Sequence, residues 1–431
     1  MPNISVSSSS DSSETSKTYT GALAVVTSLF FMWGFVTVLN DILVPHLKAI
    51  FDLSYAKVML IQFAFFSAYF IFSIPSAKLI DWVGYKRTMV IGLMTMGVGA
   101  LLFLPAASVA SYVLFLCALM VLAAGITALQ VAANPYVAVL GPEKTSSSRL
   151  NLTQAFNSSG TMIGPYLGGL LILTSTKTPE ELRQMPAAAL QAYRVQEASS
   201  VKLPYLIIGI ALILLGIVIG MIKLPGMPHA ERHGEASAKT SLWKYSHLVL
   251  GAIGIFVYVG AEVSIGSFLI NYFTQKNIGN ISEVAAAGFV SYYWGGAMVG
   301  RFIGSAILQK VETRILLGLA AAAACTLVVV SMATMGHVAM WSIIAVGFFN
   351  SIMFPSIFTL GIAKLGPLTG DGSGMLIMAI VGGAIIPVAQ GVLADHIGIH
   401  HAFVLPVLCY IYILYYAARS SKPSGPGIAV A

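Results

Sequence analysis

One long apolar run constrains the chain more than any other feature. From Gly21 the sequence reads GALAVVTSLFFMWGFVTVLNDILVPHLK, uncharged until Asp41 and apolar again at Ile42, Leu43 and Val44. About twenty such residues cross the hydrocarbon of a bilayer as one α-helix. Runs of this kind recur at 21–45, 57–80, 88–107, 110–139, 149–173, 203–222, 247–272, 284–308, 314–333, 338–363, 372–394 and 401–418, twelve in all. Backbone polar groups in lipid must be satisfied within the segment, so the runs predict an all-α membrane protein of twelve transmembrane helices. The composition, 57% hydrophobic and 9% charged, lies far from the roughly 25% charged residues of a soluble domain.

A polar stretch, Pro225 to Tyr245, separates the sixth run from the seventh. The expected organisation is a tail at 1–18, a six-helix bundle at 19–224, a linker at 225–245, a second bundle at 246–419 and a tail at 420–431. Two related halves of six helices are the layout of many secondary carriers. With the N-terminus inside, 16 of the 23 Lys and Arg fall on the inner side and 7 on the outer, Arg149 and Arg301 counting as inner. The positive-inside rule then puts both termini in the cytoplasm. The net charge of +7 belongs to those inner loops and implies no nucleic-acid partner. Residues 1–18 are Ser-rich without a cleavage pattern, so a cytoplasmic tail is expected and not a signal peptide. Cys117, Cys325 and Cys409 all sit in apolar runs, where small core residues are expected and a disulfide framework is not. No cofactor, metal site or catalytic group is suggested, so an enzyme is not expected.

Polar groups inside the spans carry the functional signal. Asp41 sits within a hydrophobic span, where a carboxylate costs several kcal/mol unless it meets a cavity or a partner. The alternative is a helix end wetted by headgroups. Gln62, Gln130, Asn134, Gln154, Asn157, Glu262, Asn271 and Asn350 lie in other spans. Gln130 and Asn134 are four apart and Gln154 and Asn157 three apart, so each pair shares a helix face. Amides donate and accept together, which matches sugar hydroxyls, and they also bond helix to helix. Trp33, Asn40, Phe66 and the run Tyr292, Tyr293, Trp294 place aromatic and polar groups nearby, where a pyranose face could stack.

After the second span the chain reads Ala77-Lys-Leu-Ile-Asp81-Trp-Val-Gly84-Tyr-Lys86-Arg87. This resembles the major facilitator superfamily signature G-x-x-x-D-x-x-G-x-R/K-R/K, with Ala77 in place of the first Gly. Asp81 suits a helix end, Gly84 a tight turn, and Lys86 and Arg87 the cytoplasmic side. The corresponding segment of the second half, Gly300-Arg301 to Lys310, keeps the bases and lacks the acid. Asn134-Pro135-Tyr136 before Leu140-Gly141-Pro142 is echoed by Phe354-Pro355-Ser356 before Leu365-Gly366-Pro367, which places matching bends in spans four and ten. Gly160, Gly164 and Gly168, and Gly296, Gly300 and Gly304, form small-residue faces for close helix contact.

The segments FFMWGFVTVLNDILVPHLK, AANPYVAVLGPE and RLNLTQAFNSSG resemble the fucose–galactose–glucose:proton symporter family within that superfamily. The resemblance implies two six-helix bundles around a polar cavity, with Asp41 as the proton-linked acid and Asn157 as a sugar contact. The fucose branch has a Glu before A-A-N-P, where this chain has Gln130. Glu262, in VGAEVSIGSFL, stands where that branch has an amide and resembles the glucose/galactose branch. The implied activity is import of a hexose, glucose or galactose with fucose as a further candidate, by symport with a proton or alternatively sodium. A monomer in the bacterial inner membrane is expected. Two other classes stay open. Gly160-Thr-Met-Ile-Gly164-Pro165-Tyr-Leu-Gly168-Gly169 fits a pattern of drug:proton antiporters. A transporter-like sensor would need a larger cytoplasmic domain than the central polar stretch provides.

Overall fold

The computed structural model describes residues 18–51, 55–172, 185–226 and 241–426. Residues 1–17 of the expected tail at 1–18, residues 227–240 of the linker at 225–245 and residues 427–431 of the second tail lie outside the described residues, as do the side chains of Asn40, Asp41 and Gln62.

The first half is built from α1 (Thr20–Phe51), α2 (Tyr55–Ser108), α3 (Tyr112–Val139), α4 (Ser146–Ile172), α5 (Ala187–Ala198) and α6 (Lys202–Met221). The second comprises α7 (Ser246–Phe273), α8 (Glu283–Ile307), α9 (Thr313–Ala333), α10 (Gly336–Asn350), α11 (Met353–Ile362), α12 (Thr369–Met378), α13 (Gly382–Ile397), α14 (Ile399–Ala402) and α15 (Val404–Tyr415). The molecule is an all-α membrane protein of twelve spans in two six-helix bundles. Straight, the 54 residues of α2 would be about 80 Å long, more than twice the hydrocarbon thickness. The chain instead folds back at Gly84, with φ 81 and ψ 166, a conformation that a side chain rarely adopts. The span is thereby divided in two. The tenth span is α10 followed by α11, the eleventh α12 followed by α13, and the twelfth α14 followed by α15.

Among the described residues, nine helices are long and apolar enough on their own to cross a membrane. The remaining three spans are the second arm of α2, α4 and α8. The last two are too polar and too rich in glycine to pass on apolarity alone, and they face each other across the two halves. Phe156 of α4 meets Phe302 of α8 with ring centroids 6.0 Å apart. The glycine stripes pack within each half. A Cβ on Gly160 would strike the Phe31 carbonyl of α1, and one on Gly300 the Phe348 carbonyl of α10.

Several charges counted with the inner loops have structural roles. Lys86 Nζ donates to the Gly220 carbonyl at 2.8 Å, at the C-terminal end of α6, where the helix dipole favours a cation. Tyr85, beside it, has its hydroxyl pushed up by burial, with the Asp81 and Asp371 carboxylates adding to the effect. Arg149 is no loop charge; it is 5% exposed. Its guanidinium donates to the carbonyls of Val137, Ala138, Gly141 and Pro142 and to Thr145 Oγ1. It thus draws together carbonyls in the last turn of α3 and in the turn just beyond it. Cys117 is exposed and only Cys409 is buried, so the expectation of core packing holds for one thiol of the three.

Arg149→Lys keeps the charge but offers three donors from a single nitrogen, and several buried carbonyls would go bare. Each costs about 1–3 kcal/mol. The melting temperature in detergent should fall clearly; an unchanged melting curve would refute this capping role.

Candidate functional site

The second half carries a buried polar cluster whose origin is local. Pro355 has no N–H, so the carbonyl four residues earlier, that of Ser351, has no helical donor. The helix breaks between α10 and α11, and the Asn350 carbonyl is freed as well. Arg301 Nε of α8 donates to the Ser351 carbonyl at 3.3 Å, and the Tyr258 hydroxyl of α7 lies 3.0 Å from the Asn350 carbonyl. Its single proton is shared with Glu262 Oε1, the nearer acceptor at 2.8 Å and one turn on along α7, which orients the half-buried carboxylate. Asn350 is fully enclosed: its amide donates to Tyr293 at 2.9 Å and its oxygen accepts from Tyr410 at 2.7 Å.

The first half mirrors the device at Pro135. The Val131 carbonyl, freed by the same rule, accepts from Ser373 Oγ of α12 at 2.8 Å, a bond between the halves. Further cross-half bonds cluster toward the end that carries the Asp81–Arg87 turn. Ser147 and Thr359 hydroxyls lie 2.5 Å apart, Thr313 donates to Ser147 at 2.9 Å, and Ser148 and Ser305 each donate to the other's carbonyl. Nearer mid-depth, Arg301 Nη1 donates to Ser158 of α4, so Arg301 lies inside the span and not in the loop where its sequence position suggested. Asn134, Asn151 and Ser356 are fully buried, and their side-chain polar atoms have no partner among the described residues.

Gln154 and Asn157 both lie on α4, three residues apart, and they differ in their partners. Asn157 Nδ2 donates to the Phe30 carbonyl of α1 at 2.9 Å, where only a glycine at position 34 leaves room. Gln154, 6% exposed, has no hydrogen bond to its amide among the described residues. Gln130 donates to Tyr69 at 2.8 Å. Trp33 is buried, its ring centroid 4.1 Å from that of Phe30. Tyr293 and Asn350 bond each other, which makes them scaffold. Tyr292 is 60% exposed against Phe289 and Trp341, and Asn271 is exposed near the end of α7; neither joins the cluster. An apolar cleft of about 490 Å³ between α1 and α4, lined by Leu23, Thr27, Phe31, Leu152 and Phe156 among others, lies apart from these groups. Its lining offers no acid or amide for polar cargo.

Sequence reasoning missed Ser158, Tyr258, Arg301 and Tyr410. Tyr258 could have been found as the i−4 neighbour of Glu262, and Arg301 as a cation inside the eighth apolar run. Ser158 and Tyr410 carry no sequence signal of their own.

Broken helices at mid-depth, freed carbonyls with side-chain donors, and two bundles joined at one end define a membrane carrier of the alternating-access kind. The Major Facilitator Superfamily is matched over residues 22–379, and the chain belongs to it. It is 52% identical over 406 residues to the glucose/galactose transporter of Brucella abortus biovar 1 (strain 9-941), covering 94% of this chain and 95% of that one. It is 36% identical over 419 residues to the L-fucose-proton symporter of Escherichia coli (strain K12), covering 94% of each. The crystal structure of the transporter FucP in the outward conformation superposes with a TM-score of 0.84 at 34% identity, covering 92% of this chain and 97% of that one. These relatives are carriers and not enzymes.

Tyr410→Phe strips the Asn350 oxygen of its donor in a dry interior, at a cost of about 1–3 kcal/mol. Thermal denaturation in detergent should show a fall of a few degrees, whereas Gln154→Ala should leave the transition where it is. The reverse order would exchange scaffold and site.

Proposed function

We propose that the chain imports a hexose, glucose or galactose, together with a cation, through alternating access. The observation that carries this is the contrast on α4 and α7. Asn157 is anchored, Gln154 beside it is an amide without a side-chain partner among the described residues, and Glu262 is an acid held by Tyr258. Such a set can meet several hydroxyls of one small polar molecule. The names of the Brucella and Escherichia relatives support a sugar as cargo. Fucose is the alternative within the same chemistry. The glycine pattern shared with drug antiporters is explained by packing, since Gly160 and Gly164 abut Phe31 and Val38 of α1.

The ion we favour is the proton, carried by Asp41 or Glu262; sodium at either acid is the alternative. Gln130 cannot titrate, so the second acid of the pair has moved to α7. No cofactor is required. A proton crossing a potential of about 100 mV supplies roughly 2.3 kcal/mol, and each pH unit adds about 1.4 kcal/mol. Together they suffice for more than a hundredfold accumulation. We place both termini and the Asp81–Arg87 turn in the cytoplasm of a bacterial inner membrane, with the chain as a monomer. The bonds between Ser147, Ser148 and the second half would then seal the cytoplasmic end, an outward-facing arrangement.

Two measurements test this. Gln154→Ala or Asn157→Ala should weaken hexose binding to purified protein about tenfold, the cost of one buried hydrogen bond; unchanged binding would move the site elsewhere. Asp41→Asn mimics the loaded, neutral acid. In proteoliposomes it should abolish concentrative uptake and spare exchange of labelled for unlabelled sugar. Persistent accumulation would transfer the carrier role to Glu262.

A further inference from the structure

Arg301 lies where three demands meet. A guanidinium inside a bilayer is costly unless its donors are met and its charge is balanced. Here its donors rest on two neutral acceptors, the Ser351 carbonyl of its own half and the Ser158 hydroxyl of the other. Arg301 and Tyr258 meet the adjacent carbonyls of Ser351 and Asn350 at one helix break, and Tyr258 also bonds Glu262, so guanidinium and carboxylate flank the same break. Among the described residues, no hydrogen bond joins Arg301 to Glu262, whose Oε1 is taken by Tyr258. Two acceptors therefore compete for the guanidinium: a neutral hydroxyl across the interface, and a carboxylate within its own bundle.

We propose that Arg301 is the positioning residue through which Glu262 acts on the first half, a tether to Ser158 whose hold depends on whether Glu262 is charged. The inference rests on the reading of the chain as an alternating carrier. The guanidinium bond to Ser158 is already charge-assisted, and an ionised carboxylate adds a charge–charge attraction that a neutral hydroxyl cannot match. A charged Glu262 draws the guanidinium toward α7 and away from Ser158. A neutral Glu262, whether protonated or paired, leaves Ser158 without a rival and keeps the halves together below mid-depth. The ionisable groups around the carboxylate are Tyr258, which bonds it, Tyr293 and Tyr410, reached through Asn350, and Arg301 itself. Among the described residues Arg301 is the one cation in this set. The fork of the guanidinium suits the task, because separate nitrogens hold Ser351 and Ser158 at once and one can let go without the other.

The exposed residues Lys144 and Lys310 sit on opposite halves at the sealed end. Spin labels at Lys144→Cys and Lys310→Cys, with Cys117, Cys325 and Cys409 replaced by alanine, report its opening by pulsed electron resonance in sugar-free full-length protein. Ser158→Ala should raise the open population about tenfold, as expected on losing a hydrogen bond from a charged donor. Glu262→Gln should lower it. The double variant Ser158→Ala/Glu262→Gln should match Ser158→Ala alone, because the acid acts only through the tether. Arg301→Gln should behave as Ser158→Ala does, and Arg301→Lys should restore part of the dependence on Glu262. Additive effects in the double variant, or no response to Ser158→Ala, would overturn the proposal. Exchange of glucose and galactose in vesicles of the parent is measured separately. Its absence would sink the substrate assignment, while the distance measurements would still decide the tether.

Discussion

A carbonyl that loses its helical donor inside a bilayer has no water to turn to, and a bare polar group there costs about 2–7 kcal/mol. Two prolines create that deficit at related depths. Pro135 exposes Val131, and Pro355 exposes Ser351 with Asn350 beside it. The donors that answer are Ser373, Arg301 and Tyr258. Each answer places a functional group: Tyr258 orients Glu262, Arg301 arrives at the interface between the halves, and Ser373 joins α12 to α3. The polar interior is thus a consequence of backbone chemistry before it is a binding site.

The amides divide by how fully they are bonded. Asn350 has both ends held by tyrosines and binds α8, α10 and α15 into one unit. Gln154 is left without a partner among the described residues. Asn134, Asn151 and Ser356 are without a side-chain partner among the described residues. In the second half the amide at Asn350 is spent on helix packing, while Gln154 on α4 keeps its donors and acceptor unbonded among the described residues.

Much of the fold was legible in the sequence. The twelve runs, the turn at Gly84 and the paired prolines follow from length, from positive φ and from the missing proline N–H, all local properties. The α4 face was legible because spacing fixes a helix face. Other features depended on which helices meet. Asn350 and Tyr293 have the composition of a sugar site, yet they pair with each other because α8 and α10 pack at that level. Tyr292, adjacent in sequence, points away. Arg149 and Arg301 were counted as loop charges because a tally by sequence position ignores reach. Arg149 turns back to cap α3, and Arg301 sits within its helix.

The hydrogen bonds between the halves toward the Asp81–Arg87 end come largely from serine and threonine hydroxyls, beside the ring contact of Phe156 with Phe302, and the two kinds of contact respond differently to temperature. Exposing apolar surface raises the heat capacity by about 0.45 cal/K/mol per Å², and exposing polar surface lowers it by about 0.26. A hydroxyl seal exchanges protein partners for water with little net change in bonding, so the two contributions partly cancel. Parting Ser147 and Ser148 from Thr359 and Ser305 would therefore bend an Arrhenius line little, and any curvature would come from apolar pairs such as Phe156 and Phe302. A greasy seal in the same place would curve it and freeze the cycle on cooling.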